Sequence, residues 1–414
     1  MSEGEYVIGL DLGSTKVCAI CGGRKDDGGI EIIGVGQAES NGLRKGVVVN
    51  IDATAKSIAT AVEEMELMSG LQVNSVYAGI AGGHIKGMNS KGVVAISNPT
   101  KEIGKADVER VIDAAKAVAI PLDREVIHVI TQEFKIDGQD GIKDPVGMSG
   151  VRLEADVHIV TGQVTSVKNI IQAVQRANYE VDDFVLAPLA SAYATLTEDE
   201  RELGVVLVDI GGGTTDIAVF VDGSIWHTEV LAIGGEHITR DLSMGLRTTK
   251  EAAETLKCEH GCALARLVPE EAMIEVPSVG GRQSRPLRKL DMVNIIQPRV
   301  EEIFMLINRE IKRSGYEDLV AAGVVITGGS AALTGMQELG EEILDLPVRI
   351  GNPRGVDGLV DVVNNPKYAT AVGLVQYGFM QQDGGKEKSR NFSTGDNLFK
   401  TVFKRMSDWY DEFF

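Results

Sequence analysis

Two short segments of the sequence each combine an aspartate, a glycine-containing turn and hydroxyl side chains between two apolar runs. They span residues 7–20 and 205–219, so the same arrangement occurs twice, about 200 residues apart. Each has the pattern of a β-hairpin. Glycines let backbone N–H groups approach an anion closely and hydroxyls add donors, so both turns predict phosphate cradles. The predicted cradle residues are Gly13, Ser14, Thr15 and Lys16 in the first copy and Gly211, Gly212, Gly213, Thr214 and Thr215 in the second.

An aspartate stands just before each cradle, Asp11 in the first copy and Asp209 in the second. A bare carboxylate would repel a phosphate unless a divalent cation lay between them, so the pair predicts magnesium, held through water. For a single copy, an ordinary turn with a satisfied aspartate explains the residues equally well. The second copy favours the phosphate site and, with it, a duplicated α/β domain.

A third glycine-containing turn follows the apolar run 324–327. Gly328, Gly329 and Ser330 stand where a buried strand would end and a helix would begin, and the N-terminal amides of a helix suit a phosphate or a ribose. The sequence contains neither a Walker A motif nor the G-x-G-x-x-G dinucleotide fingerprint. The three turns together form the candidate nucleotide site.

The segments between the turns alternate between helical and strand-like patterns. Residues 53–68, for example, have helical periodicity, and residues 75–80 are strand-like. This alternation indicates an α/β fold. A long apolar stripe predicts a core helix from Asp291, as its N-cap, to Ser314, ended by Gly315.

The composition is that of a globular protein with an acidic balance. The 414 residues carry 41 Lys and Arg against 60 Asp and Glu, a formal charge of −19, so no broad surface for nucleic acid is expected. The first residues lack the features of an export signal, which predicts a cytoplasmic protein. No run approaches the roughly 18 to 20 apolar residues that cross a bilayer. The cysteines, Cys18, Cys21, Cys258 and Cys262, are expected to be reduced thiols rather than metal ligands.

The last residues have a different character. Residues 381–397 are polar and predict a flexible linker. Residues 398–414 have large apolar side chains at helical spacing, which predicts an amphipathic helix lying on a membrane surface. A terminal helix docked on its own protein is the alternative. The apolar positions are Leu398, Phe399, Val402, Phe403, Met406, Trp409, Tyr410 and Phe413.

In their order and spacing, the three turns resemble the phosphate-1, phosphate-2 and adenosine motifs of the actin, Hsp70 and sugar-kinase superfamily. The resemblance implies ATP and Mg²⁺ in a cleft between two ribonuclease-H-like halves, which are joined by connecting helices at 183–196 and 368–378. It assigns Gly234 and Gly235 to a turn near the phosphates. It also places the pair Glu254 and Lys257 beside adenosine, although such pairs are as often simply solvated.

One position departs from the superfamily pattern. Chaperone-like members have a glutamate, and actins a glutamine, before the proline of the first connecting helix, where it orients the attacking water. Here that position is Ala187. Without such a side chain, the chain is at most a slow ATPase, and nucleotide would act mainly as a structural switch.

Nearly the whole chain resembles the FtsA family of bacterial cell-division proteins, through residues 33–48, 144–152 and 276–282 and the amphipathic end. The resemblance implies a polymerising peripheral protein at the cytoplasmic face of the inner membrane, at the division septum. Implied partners are the C-terminal tail of the tubulin-like protein FtsZ and later division proteins. Alternatives are a small-molecule kinase or a pilus-type actin homologue of the same superfamily.

In that family the FtsZ tail docks on the smaller subdomain of the second half. Three arginines offer positive charge there, and solvated surface residues are the alternative. They are Arg282, Arg285 and Arg288.

The resemblance also implies a division of the chain into subdomains, with a small one inserted in the first half. The expected boundaries are 1–83, 163–204 and 365–380 for subdomain 1A, 84–162 for the inserted 1C, 205–229 and 306–364 for 2A, and 230–305 for 2B.

Overall fold

The computed structural model describes residues 6–280 and 283–391, with side chains through Asp383. The strands of this part, in chain order, are β1 (Tyr6–Leu12), β2 (Lys16–Arg24), β3 (Ile30–Glu39), β4 (Leu43–Arg44), β5 (Val47–Val48), β6 (Ser75–Ile80), β7 (Lys86–Ala95), β8 (Arg124–Ile136), β9 (Gln139–Ile142), β10 (Arg152–Gln163), β11 (Glu180–Leu186), β12 (Val205–Ile210), β13 (Thr215–Val221), β14 (Ser224–Leu231), β15 (Met273–Val276), β16 (Arg285–Arg288), β17 (Val324–Thr327), β18 (Val348–Ile350) and β19 (Asp357–Gly358). Its α-helices are α1 (Ile51–Ser69), α2 (Lys105–Lys116), α3 (Val164–Arg176), α4 (Ala187–Thr195), α5 (Glu198–Leu203), α6 (Gly235–Leu246), α7 (Lys250–His260), α8 (Lys289–Ser314), α9 (Met336–Leu344), α10 (Val360–Val363) and α11 (Ala369–Asn391).

The first lobe is a mixed sheet with strand order β11-β6-β1-β2-β3-β19. Helices α1 and α3 pack on one face and α11 on the other, so β2 is buried along nearly all its length. Helix α1 lies directly on β3 because Gly36 has no side chain: a Cβ there would stand 1.9 Å from the Ala61 carbonyl oxygen. The connected strands β1, β2 and β3 therefore lie in a sheet that helices cover on both faces.

The second lobe repeats this arrangement with the order β14-β13-β12-β17-β18. Strands β12, β13 and β14 form the antiparallel part, and β17 runs parallel to β12 as β6 runs parallel to β1. The apolar stripe of α8, which includes Val300, Phe304 and Ile307, is buried in its core. The predicted duplicated α/β fold is confirmed.

An inserted unit with a four-stranded sheet, in the order β7-β10-β8-β9, interrupts the first lobe. Helix α2 covers one face of this sheet, and alternate residues of β10, among them Leu153, Val157 and Ile159, form its core. The insert touches the second lobe through Asn89, whose side-chain amide donates to the Trp226 carbonyl at 3.1 Å.

Helices α4 and α11 cross between the lobes and correspond to the predicted connecting helices. The first was predicted to begin at Asp183, and this boundary is wrong: residues 183–186 belong to β11 and pair with β6. The helix begins at Ala187, and Pro188 stands in its first turn, where a missing N–H costs no hydrogen bond.

Three further boundaries differ from the sequence-based expectation. Helix α8 has Arg288, not Asp291, at its N-cap, and Asp291 lies in the first turn. Strand β19 pairs with β3 of the first lobe, although residues 357–358 were assigned to the second. Helix α11 continues to Asn391, so the first part of segment 381–397 is helical rather than irregular.

The structure does not test the predicted membrane-binding helix, since residues 398–414 lie outside the described part. In the described ranges, no helix is long and apolar enough to cross a membrane.

Candidate functional site

The two predicted cradles have the same backbone geometry. The Gly13 N–H donates to the Lys16 carbonyl at 3.0 Å, and the Gly211 N–H donates to the Thr214 carbonyl at 3.0 Å. In both hairpins a four-residue turn therefore follows the strand that carries the aspartate. The repeat seen in the sequence is a repeat of the same turn in three dimensions.

The turns face each other across the interlobe cleft. A Cβ at Gly212 would lie 2.4 Å from the Thr15 side chain, and one at Gly213 would lie 2.5 Å from the Ser14 hydroxyl. Ser14 in turn accepts a hydrogen bond from the Gly46 N–H at 3.1 Å. Only glycine leaves room for this approach, so the glycines bring the two cradles together on one cavity of about 610 Å³.

The third turn closes the cleft from the second lobe. Gly328 has a φ of 85°, a conformation that favours glycine, and the Ser330 hydroxyl donates to the Gly211 carbonyl at 3.1 Å. The turn does open a helix, as predicted, although not an α-helix. It forms a short 3₁₀ helix, Gly329–Ala332, which ends because Leu333 is extended, and α9 begins only at Met336.

Three carboxylates converge at the floor of the cleft. Burial, together with repulsion by Asp209, raises the pKa of Asp11 to about 6 and that of Asp216 to about 7, although the positive charge of Lys16 lowers that of Asp11. Burial likewise raises the pKa of Asp209. Within the described residues, one oxygen of Asp216, Oδ1, has no hydrogen-bond partner. Hard carboxylate oxygens that repel one another, one of them without a donor, fit a bound Mg²⁺ ion.

Asp216 was not predicted as a site residue, although it lies within the second motif. It reaches the site because the four-residue turn makes it the cross-strand partner of Asp209. The equivalent pair in the first hairpin is Asp11 and Cys18. The register of the hairpin follows from the turn length, so the sequence could have identified Asp216 as a site residue.

Lys16 lies on the wall of the cleft beside the start of α11. Its ammonium donates to the Lys367 carbonyl at 2.8 Å and lies 4.7 Å from the centre of the Tyr368 ring. The first cradle thus carries a positive charge held in place by the residues just before α11.

The predicted pair Glu254 and Lys257 forms an ion pair of 2.8 Å on the second-lobe wall of the cleft. The Thr239 hydroxyl donates to Glu254, and the Lys257 ammonium donates to the Gly235 carbonyl at 3.3 Å. The pair is therefore fixed in the wall rather than free in solvent.

The turn at Gly234 and Gly235 lies behind the second cradle rather than on the cavity. The Gly235 N–H donates to the Gly211 carbonyl at 2.9 Å. Thr215 is fully buried, and its hydroxyl donates to the Ile233 carbonyl at 2.9 Å. These residues shape the cradle from behind, whereas the other predicted cradle residues line the cavity.

Ala187 also lines the cleft, and its methyl group offers no hydrogen bond to a water. Several residues in the lining were not predicted from the sequence, because they come from elements distant in the chain. They are Cys258, Lys289, Asn365 and Thr370.

The cysteines of the chain are free thiols. Of the arginines proposed for partner binding, Arg282 lies outside the described residues. Arg285 donates to the Leu246 carbonyl at 2.8 Å, and Arg288 forms an ion pair of 2.8 Å with Asp291.

The duplicated sheets, the paired glycine turns and the cleft between them define a two-lobed, actin-like fold. A family model described as Cell division protein FtsA matches residues 206–373, and one described as SHS2 domain inserted in FTSA matches residues 82–161. The chain belongs to the FtsA family of cell division proteins.

The similarity to curated relatives extends along almost the whole length of this chain. The chain is 49% identical to the cell division protein FtsA of Pseudomonas aeruginosa over 411 residues, 99% of this chain and 98% of that one. It is 41% identical to FtsA of Escherichia coli K12 over 418 residues, again 99% and 98%.

Solved structures show the same fold at low identity. A PilM-PilN type IV pilus biogenesis complex matches with a TM-score of 0.66 at 16% identity, covering 90% of this chain and 98% of that one. MreB5 of Spiroplasma citri bound to AMPPNP matches with a TM-score of 0.56 at 13% identity, covering 94% and 100%.

Proposed function

We propose that this cell division protein binds ATP with Mg²⁺ in the interlobe cleft and uses it to control assembly into filaments on the membrane. The observation that carries the proposal is the pair of matching glycine turns, which face each other beside three buried carboxylates. A solved structure of the same fold is described as bound to AMPPNP, which supports an adenine nucleotide here.

Different elements of the cleft would contact different parts of the nucleotide. The two cradles would hold the phosphates with backbone N–H groups and hydroxyls, and Lys16 would add positive charge. Asp11, Asp209 and Asp216 would hold Mg²⁺, in part through water, and the ion would offset the repulsion between carboxylates and phosphates. Glu254 and Lys257 would face the adenosine.

We expect nucleotide turnover to be slow. Ala187 occupies the position from which a carboxylate or amide could orient the attacking water, and a methyl group cannot do so. The bound nucleotide then acts mainly as a switch between lobe arrangements.

Nucleotide binding is tested by titrating a fluorescent ATP analogue into the full chain, once with Mg²⁺ and once with EDTA. We expect saturable binding that is much tighter with Mg²⁺. An absence of binding in both conditions would overturn the nucleotide site.

The same proposal extends to the membrane and to division partners. The family suggests a peripheral protein on the cytoplasmic face of the inner membrane at the septum, which self-associates, tethers the FtsZ tail and recruits later division proteins. Residues 398–414 would be the anchor, with apolar burial as its main source of affinity because acidic and basic side chains are balanced there.

Tethering is tested by co-sedimentation with lipid vesicles in the presence of ATP and Mg²⁺. The variant should end after residue 397, because a shorter one risks removing Asp383, which forms a 2.6 Å ion pair with Arg24 on the first lobe. A second variant, Trp409→Glu in the full chain, keeps the length. If only the intact chain pellets with lipid, the anchor is supported, whereas pelleting of all three chains contradicts it.

A further inference from the structure

Helices α4 and α11 meet the second cradle at a single carboxylate. The Ser191 hydroxyl on α4 donates to Oδ2 of Asp209 at 2.8 Å, and the Thr370 hydroxyl on α11 donates to the same oxygen at 3.2 Å. The two hydroxyl oxygens are 2.9 Å apart. Both residues are buried, so water competes poorly for either group. An ionised carboxylate has lone pairs enough to accept both protons.

The other oxygen of Asp209 is enclosed by the third turn. A Cβ at Gly328 would stand 2.3 Å from Oδ1, which is closer than any side chain could come. Three elements that are distant in the chain therefore fix the orientation of this one carboxylate. They are α4, α11 and the turn that follows β17.

Asp11 provides an internal comparison. It has the same position in the first hairpin, before a turn of the same length. Within the described residues, no hydroxyl bonds to Asp11, whereas two bond to Asp209. The pair of hydroxyl hydrogen bonds to the aspartate is thus not a property of the hairpin motif. It arises because the two connecting helices bring their hydroxyls to Asp209 and not to Asp11.

The hydroxyls stand beside a close contact between these helices. A Cβ at Gly373 of α11 would lie 1.8 Å from the Ala190 carbonyl of α4, so the backbones touch there. Ser191 follows Ala190, and Thr370 lies about one helical turn before Gly373. Any sliding of α11 along α4 must therefore break these hydrogen bonds or carry Asp209 with it.

We infer that Ser191 and Thr370 are positioning residues that hold Asp209 for the cation and tie the cation to the crossing of α4 and α11. The inference rests on the proposed function, since it assumes a magnesium nucleotide in the cleft. The two hydroxyls act through Asp209. A bound cation stabilises the contact between α4 and α11 at their crossing. Binding of magnesium nucleotide thereby makes the first turns of α11 less mobile.

The test uses full-length variants that remove one hydroxyl each, Ser191→Ala and Thr370→Val. Thr370→Ser keeps the hydroxyl and is the rescue variant. Thr195→Val is the matched control, because Thr195 is equally buried on α4 but donates to the Ser191 carbonyl, at 2.7 Å, rather than to Asp209. The dissociation constant of a fluorescent ATP analogue is measured for each chain with Mg²⁺ and with EDTA.

We expect Ser191→Ala and Thr370→Val to weaken binding roughly tenfold with Mg²⁺, as the loss of a hydrogen bond to a charged group predicts, and to leave binding in EDTA unchanged. Thr370→Ser and Thr195→Val should bind like the unaltered chain. Hydrogen exchange gives a second readout: magnesium nucleotide should slow exchange in the first turns of α11 in the unaltered chain and in Thr370→Ser, but not in Thr370→Val.

Equal weakening with and without Mg²⁺, or no weakening at all, overturns the inference. So does a Thr370→Ser variant that behaves like Thr370→Val. If Thr370→Val fails to fold, as judged by circular dichroism, Ser191→Ala decides, since it removes the shorter hydrogen bond. If the unaltered chain itself binds no nucleotide, the proposed function fails and the inference with it, a result distinct from failure of the variants alone.

Discussion

Asp209 and Asp216 face each other as a cross-strand pair in the second hairpin, and both carboxyl groups point to the cleft. In the first hairpin the same register pairs Asp11 with Cys18, a buried thiol. The duplicated backbone therefore carries two carboxylates in only one of its copies. This asymmetry concentrates negative charge on the second lobe, where a cation must offset it.

The first prediction concerns Asp216→Asn in the absence of nucleotide. Burial, together with the charge of Asp209, raises the pKa of Asp216 from an ordinary 3.8 to about 7. The folded state thus binds this proton more tightly than the unfolded state, so stability is lost as the pH rises from about 4 through about 7 and is regained as it falls. We expect Asp216→Asn to raise the free energy of unfolding at pH 8 by on the order of 2 kcal/mol, with little change at pH 4.

Urea unfolding between pH 4 and 8 without Mg²⁺ measures this effect. Asp345→Asn is the matched control, because Asp345 is exposed and its left-handed conformation suits asparagine. An unchanged pH dependence in Asp216→Asn would contradict the prediction. With magnesium nucleotide present, the same variant should bind more weakly than the unaltered chain.

A second prediction addresses the contact between the cradles. Gly212→Ala places a Cβ 2.4 Å from the Thr15 side chain, so the turns must separate. We expect nucleotide affinity to fall by roughly tenfold or more, with a smaller effect on stability because the turns lie at the cleft surface. Calorimetric titration measures it. Gly83→Ala is the control, since a Cβ at Gly83 would have no neighbour within 4 Å. Equal nucleotide affinities of the two variants would contradict this prediction.

The sequence predicted the cradles because a hairpin turn depends on adjacent residues, and these are visible in the chain. It missed the start of α4, because residues 183–186 become a strand only by pairing with the distant β6. It also missed Asp216 and Thr370, which enter the site through cross-strand register and helix crossing. The register of Asp216 could have been derived from the turn length, whereas the role of Thr370 depends on tertiary packing, which no local pattern encodes. The membrane helix and the partner arginines remain predictions.

A third prediction concerns hydrolysis. Ala187→Glu adds a carboxylate at the start of α4, inside the cleft, where it could orient a water for attack on the phosphate. We expect phosphate release to rise at least roughly tenfold, while nucleotide affinity changes little. The control is Ala332→Glu, which adds the same group at an exposed position of the cleft wall. If both variants hydrolyse ATP at the rate of the unaltered chain, the slow turnover has a cause other than the missing side chain.

A fourth prediction ranks the partner arginines by the charge each has available. Arg288 is neutralised by Asp291 at 2.8 Å, whereas Arg285 donates to the Leu246 carbonyl and has no carboxylate partner within the described residues. An acidic FtsZ tail should therefore gain more from Arg285, because binding there breaks no existing ion pair.

We expect Arg285→Ala to weaken binding of an FtsZ tail peptide several-fold at low salt and Arg288→Ala to weaken it less. Fluorescence anisotropy with the labelled peptide measures both. Arg266→Ala is the control, since the charge of Arg266 is already paired with Glu342. The reverse ranking, or equal effects of all three variants, would place the tail elsewhere on the protein.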